Sequence, residues 1–335
     1  MKQYSVAVVG AAGLVGEELA TILEQRDFPV QDVQLFDTEG LAGNTMSYRG
    51  ADVAIQRVSD SVFHEIDLAF FATDAETSRE FVPKAVKSGS IVIDLSSAFR
   101  LEPNVPLIVP EINPHLISTH HGIIASPDSM TIPLALTLHP IHVRARLKRV
   151  VISTYQAVSE NGMAGIEELE RQVLNIFNHK DILCQTYPHQ IAFNCLPHIG
   201  NFTDDDNTET EEFIRKELQK IFNSDTIGIS VTAARVPVFH GHSASVNIET
   251  EKGVYATEVG FYLDESPGLK VIDEPYENLY PLAIEAVGED EVLVGRVRED
   301  ESVENGLNLW VTTDNIKKGG ALNAVQIGEV LVWND

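Results

Sequence analysis

The first third of the chain constrains its fold most. Five short apolar runs, VAVVG (6–10), VQLFD (33–37), IDLAFFAT (66–73), IVIDLSS (91–97) and GIIAS (122–126), are continuous and rich in β-branched residues. Such runs suit strands covered on both faces rather than strands with one wet face. Between the first two, Val15, Leu19, Ile22 and Leu23 recur at helical spacing, and residues 76–87 supply another helical pattern. Strand and helix in alternation predict a parallel, doubly wound α/β sheet.

The first strand-to-helix turn reads Gly10-Ala11-Ala12-Gly13-Leu14-Val15-Gly16. In a dinucleotide-binding turn Gly10 permits the tight exit, Gly13 lets backbone approach a pyrophosphate, and Gly16 allows close helix packing. The N–H groups of the helix start then face the phosphates. Asp37 ends the second strand about 20 residues further on, where a carboxylate accepts hydrogen bonds from adenosine ribose hydroxyls. The alternative is that Asp37 only caps a turn. The following Thr38-Glu39-Gly40-Leu41 contains no Arg or Lys. A 2′-phosphate would meet Asp37 and Glu39 there, which favours NAD over NADP.

Composition narrows the partners. The 335 residues suffice for about two domains, and 24 Lys+Arg against 50 Asp+Glu leave a net charge of −26. So acidic a surface repels nucleic-acid phosphates and anionic lipid headgroups; the expected ligand is a small molecule, and an anion only where a few cations converge in a cleft. No apolar run approaches the roughly 20 residues that span a bilayer, and MKQYSVAVVG reads as a folded strand rather than a signal peptide. Cys184 and Cys195 are the only cysteines and match no metal motif, so the cytoplasm is the expected compartment. Cys195, within apolar IAFNCLP, is expected to be a small buried hydrophobe. The carboxylate-dense stretches 204–217 and 264–304 lack ligand spacing, so no metal site is expected.

Over essentially its whole length the sequence resembles the aspartate-semialdehyde dehydrogenase family. The glycine turn, Ser97-Ala98-Phe99-Arg100, VPLIVPEIN (105–113), GIIASP (122–127) and STYQAVS (153–159) carry the resemblance. IAFNCLPHI (191–199), Arg235-Val236-Pro237-Val238 with His242, and TDNIKKGGALNAVQIGE (313–329) continue it. The resemblance implies a Rossmann-type dinucleotide-binding domain over 1–127 and an α/β (α+β) substrate and dimerisation domain over 128–313. Residues 314–335 would form a C-terminal helix returning to the first domain, and the assembly would be a homodimer. Family members reduce β-aspartyl phosphate with NADPH through a cysteine thioester.

The cysteine motif of the family, N-P-N-C-S-T, reads here Ser126-Pro127-Asp128-Ser129-Met130-Thr131, with Ser129 at the nucleophile. By resemblance Gln156 positions the acyl carbonyl, His242 is the general base, Arg235 clamps the substrate carboxylate and Arg100 binds phosphate. Glu212, with Arg215, has the spacing of the family's Glu-x-x-Lys, although a gap-free alignment puts Phe213 at the lysine. Asp314-Asn315 match a nicotinamide-contact segment. The substitution at residue 129 is similar to that of the Usg-type paralogues. A serine hydroxyl is several units less acidic than a thiol of reference pKa about 8.5, and an oxoester accepts hydride poorly. A catalytically impaired dehydrogenase homologue is therefore expected. The alternatives are a non-enzymatic dimeric interaction or regulatory protein and, further off, a hydrolase-like pair of Ser129 and His242.

Overall fold

The computed structural model describes residues 2–333; Met1, Asn334 and Asp335 lie outside the described residues, and with them the ends of the expected first and last segments. The chain forms two compact units, one of residues up to Asp128 together with those from Gly320 on, the other Ser129–Gly319.

The first unit runs β1 (Tyr4–Val9), α1 (Leu14–Gln25), β2 (Val30–Asp37), β3 (Thr45–Tyr48), β4 (Ala51–Arg57), β5 (Leu68–Phe71), α2 (Ala75–Lys87), β6 (Ile91–Asp94) and β7 (Ile123–Ala125). Its seven strands are ordered β3-β4-β2-β1-β5-β6-β7, all parallel except the antiparallel β3–β4 pair. The five apolar runs are five of these strands; β3 and β4 extend the sheet beyond them. Both faces of β1 are covered, as continuous apolar character requires. Val6 and Val8 pack with Leu19, Ile22 and Leu23, whereas Ala7 and Val9 pack with Phe71, Val82 and Ala85. From β1 the chain moves to β2 on one side and reaches β5 on the other. The glycine turn therefore sits where the strand order reverses, the place at which open α/β sheets bind ligands.

The second unit runs α3 (Thr131–Ala145), β8 (Leu147–Gln156), α4 (Gly162–Phe177), α5 (Glu209–Ile221), β9 (Gly228–Arg235), β10 (His242–Thr250), α6 (Ala256–Asp264), β11 (Leu269–Val271), α7 (Ala283–Ala286), β12 (Val292–Asp300) and β13 (Gly306–Thr313). Its mixed six-stranded sheet is ordered β11-β12-β13-β10-β8-β9. Helices α3, α5 and α6 pack on the sheet. Alternate residues Tyr155, Ser245, Asn247 and Trp310 stay partly open, and the rings of Tyr155 and Trp310 lie 5.4 Å apart. The last helix, α8 (Leu322–Trp333), belongs to the first unit. Leu322, Val325 and Ile327 join the Leu19–Ile22–Leu23 cluster there. Glu329, almost fully buried, takes two hydrogen bonds from the Arg26 guanidinium, at 2.7 and 2.8 Å. Such bidentate pairs fix geometry as well as charge.

Gly10 is constrained twice over, by its backbone conformation and by a close neighbour. Its φ is +85°, and a Cβ there would stand 2.3 Å from the Ala72 carbonyl oxygen. Gly10→Ala is expected to cost about 3 kcal/mol of unfolding free energy through backbone strain and overpacking. Urea unfolding followed by circular dichroism reads the change; an unaltered midpoint would contradict this account of the turn.

Candidate active site

The second unit gathers its polar groups at one end of its sheet. Gln156 ends β8 and Arg235 ends β9, and the two are register partners in the parallel pair. Strand β10 runs antiparallel to β8 with Ser243 opposite Tyr155, so His242 begins where Gln156 ends. His242 also pairs with Thr313, the last residue of β13. Gln156, Arg235 and His242 are all buried. The order expected from the sequence thus becomes a spatial cluster because each residue sits at a strand end.

Ser129 lies two residues before α3, as a nucleophile at a helix start should, and Gly319 touches its backbone so closely that a Cβ would fall 2.8 Å from the Ser129 carbonyl oxygen. Its hydroxyl does not meet His242. It donates to Glu160 Oε2 at 3.0 Å. The same oxygen lies 3.0 Å from His242 Nε2. The Ala157 backbone N–H donates to His242 Nδ1 at 3.1 Å, so Nδ1 is the acceptor and the Nε2 proton faces Glu160. A carboxylate therefore stands between the hydroxyl and the imidazole. The order is Ser–Glu–His, not Ser–His–Asp.

Glu160 escaped the sequence reading. It occupies a helical turn, residues 158–161, four residues beyond Gln156, and that spacing beside a strand end is the only signal it left. Burial opposes its ionised form, but the hydrogen bond from His242, the Arg235 guanidinium and the Ser129 hydroxyl outweigh this. Together they hold its carboxyl below the ordinary carboxylate range. A base this weak cannot carry the serine proton. Even against a thiol of pKa about 8.5 the gap exceeds about four units, which is more than about 5 kcal/mol, and an alcohol widens it. Arg235 also donates to the Ala157 carbonyl at 2.7 Å, which locks the guanidinium to the turn that carries Glu160.

The segment after β13 serves the same cluster from behind. Asn315 Oδ1 accepts from the Gly241 N–H at 3.0 Å, and its Nδ2 donates to Ser159 Oγ at 3.1 Å, fixing the neighbours of His242 and Glu160. Asp314 accepts from the backbone N–H groups of Gly288, Ile316 and Lys317. In the second unit both expected nicotinamide-contact side chains are thus engaged in holding loops.

Glu212 is not brought to this cluster. Its carboxylate is taken by Arg215 at 2.6 Å and Lys216 at 3.1 Å, and it lines a separate cavity of about 350 Å³ with Asp205, Glu211 and residues 229–231. The same helix repeats the Glu-x-x-Lys spacing at Glu217 and Lys220, and Glu217 is completely buried. That burial, invisible in the sequence, singles out Glu217 as the inward carboxylate of α5. Cys195 is exposed rather than buried, in a turn where Phe193 has φ +58°. Among the described residues no group of three or more His, Cys, Asp or Glu could hold a metal.

In the first unit, Gly13 is the N-cap of α1 and gives no side-chain cap, so no capping side chain takes the first-turn N–H groups of Leu14, Val15 and Gly16. A Cβ on Gly13 would meet only the Gly10 carbonyl, at 3.5 Å, whereas on Gly16 it would fall 2.1 Å from that oxygen. These residues fit a pyrophosphate at Gly13 and close helix packing at Gly16. Asp37 Oδ2 accepts from the Ala12 N–H at 2.9 Å and Oδ1 from Thr38 N–H at 2.7 Å, so it closes the turn while keeping lone pairs for further donors. Arg57, the register partner of Asp37 on β4, lies beside it and pairs with Glu39 at 3.3 Å. The arginine comes from β4 rather than from the loop after β2. Arg100 donates to the carbonyls of Leu95 and Ser126 and meets Asp128 at 3.3 Å, so Asp128 is its counterion.

Comparisons with known proteins cover both units. The NAD binding domain of semialdehyde dehydrogenases matches residues 5–120, and their dimerisation domain matches 138–318. An aspartate-semialdehyde dehydrogenase of Aquifex aeolicus is 45% identical over 98% of both chains, and one of Rickettsia bellii is 44% identical over 99% of this chain and 98% of that one. The crystal structure of aspartate semialdehyde dehydrogenase II from Vibrio cholerae, 39% identical, superposes with a TM-score of 0.97 over 99% of each chain. With two domain matches along the chain and identity of this order end to end, the protein belongs to the aspartate-semialdehyde dehydrogenase family.

Proposed function

We propose that this chain is a Usg-type member of the family whose dehydrogenase chemistry is impaired, and that it retains a dinucleotide site and a dimeric assembly. The observation that carries the reading is the hydrogen bond from Ser129 to Glu160. The residue at the nucleophile position is an alcohol, and the group in contact with it is a strongly ionised carboxylate rather than an imidazole. The Ser129–His242 hydrolase reading loses its support for the same reason.

When bound, the nicotinamide cofactor supplies hydride transfer. The uncapped amides of Leu14, Val15 and Gly16, with Gly10, Ala12 and Gly13 shaping the turn and Asp37 closing it, would hold its phosphates and adenosine ribose. NAD is favoured over NADP, since a 2′-phosphate must displace Glu39 from Arg57 and approach Asp37. Gln156 and Arg235 would orient a small acyl or carboxylate ligand from their paired strand ends.

The homodimer reading rests on the dimerisation-domain match and on the partly open face of the second sheet. Tyr155, Trp310, Tyr280 and Leu282 line a groove of about 350 Å³ on that unit. Arg296 and Arg298 line it too, and a second copy of the chain is the occupant this aromatic and cationic surface fits.

Three outcomes follow. Semialdehyde-dependent reduction of NAD or NADP in the presence of phosphate is expected below about one-thousandth of an ordinary enzyme's 1–10³ s⁻¹; turnover in that range by the wild type would overturn the reading. A fluorophosphonate probe is expected to leave Ser129 unlabelled from pH 6 to 9, and labelling would restore the hydrolase alternative. Trp310→Glu is expected to halve the mass measured by light scattering, whereas an unchanged dimer would place the interface elsewhere.

A further inference from the structure

The groups with which this site could greet an external anion already converge on a carboxylate of the chain. Ser129 Oγ and His242 Nε2 each lie 3.0 Å from the single oxygen Glu160 Oε2, and the buried Arg235 guanidinium acts on the same carboxylate. One hydroxyl, one ring N–H and one cation are the donors that would recognise a small dicarboxylate or a phosphate. Here they are occupied from within.

We propose that Glu160 is a tethered stand-in for an anionic ligand, and that it sets the charge selectivity of the site by excluding free carboxylates and phosphates. The proposal rests on reading the Gln156–Arg235–His242 cluster as the family's substrate site. Two physical effects act together. A side chain anchored four residues from Gln156 competes at a high effective concentration that a dissolved anion must overcome. An anion bound beside it would also bring two like charges together in a partly desolvated site. The Glu160 side chain is 32% exposed although its Oε2 is engaged, so part of it faces solvent into which it can move. It therefore competes with a ligand instead of plugging the site permanently.

Glu160→Gln keeps the shape and removes the charge; Glu160→Ala removes both. Isothermal titration with succinate and, separately, with inorganic phosphate compares these variants with the wild type and with each variant carrying Arg235→Gln. At least one of the two anions is expected to bind tenfold or more tighter to both Glu160 variants, and the gain should vanish with Arg235→Gln. Should neither anion gain tenfold in variants whose melting curves show a folded protein, the proposal is overturned. A gain that survives Arg235→Gln overturns it too, since the anion then binds elsewhere. Which anion responds identifies whether the vacated position suits a carboxylate or a phosphate. The readout is binding, not turnover. Fast wild-type chemistry would therefore defeat the proposed impairment and leave this test standing, while failure here leaves the Ser129 argument intact.

Discussion

Strand β8 pairs in parallel with β9 and antiparallel with β10, and that double register decides which side chains meet at its C-terminal end. Gln156 and Arg235 face across one ladder, and His242 enters from the other. A slip of one residue in either pair would turn a member of the trio to the opposite face of the sheet. The covered face enforces the register, because Val150, Ile152, Val246 and Ile248 are buried together with it. Hydrophobic packing along the strands is thus what holds the polar end in place. The turn that follows β8 then delivers Glu160, and Asn315 ties that turn to the residue before His242.

A common pattern links the two units. Where a site might offer a cation or free N–H groups to an outside anion, a carboxylate of the chain has arrived first. Asp128 meets Arg100, Glu39 meets Arg57, Asp37 takes the Ala12 amide, and Glu160 takes Ser129 and His242. The net charge of −26 is therefore not spread evenly as a solubility feature. Part of it is spent in fixed contacts with groups whose ordinary partners are phosphates and carboxylates. The first-turn amides of α1, by contrast, have no side-chain cap.

What the sequence made legible is local or ordered along strands. The glycine turn is a contiguous signature, and Gln156, Arg235 and His242 sit at the ends of apolar runs that the pattern already marks. What it hid depends on contacts between distant positions. Arg57 neighbours Asp37 only through the β2–β4 register. Strands β3 and β4 left little signal because β4 is largely exposed and its ADVAIQR mixes apolar with charged and polar residues. Their hairpin also turns on Arg49-Gly50, at φ +50° and +77°, without the Asn-Gly pair that usually signals such a turn. Glu217 and Glu212 share a helix and a spacing, and only burial tells them apart. Cys195 sits in an apolar segment yet is exposed, since composition does not show which way a turn points.

The seat of α8 in the first unit has a consequence for how the protein is made. Leu322, Val325 and Ile327 complete the core begun by Leu19, Ile22 and Leu23, and Glu329 supplies the partner of Arg26. Ribosomes release the N-terminal strands long before that helix exists. At about 5–20 residues per second, synthesis of Ser129–Gly319 alone keeps them waiting for about 10–40 s. The nascent Rossmann-type sheet spends that interval with one apolar flank uncovered, while the second unit, continuous in the chain, can fold on emergence. Quality control in the cell thus meets the N-terminal half as an unfinished sheet, and a truncated message would leave it so permanently.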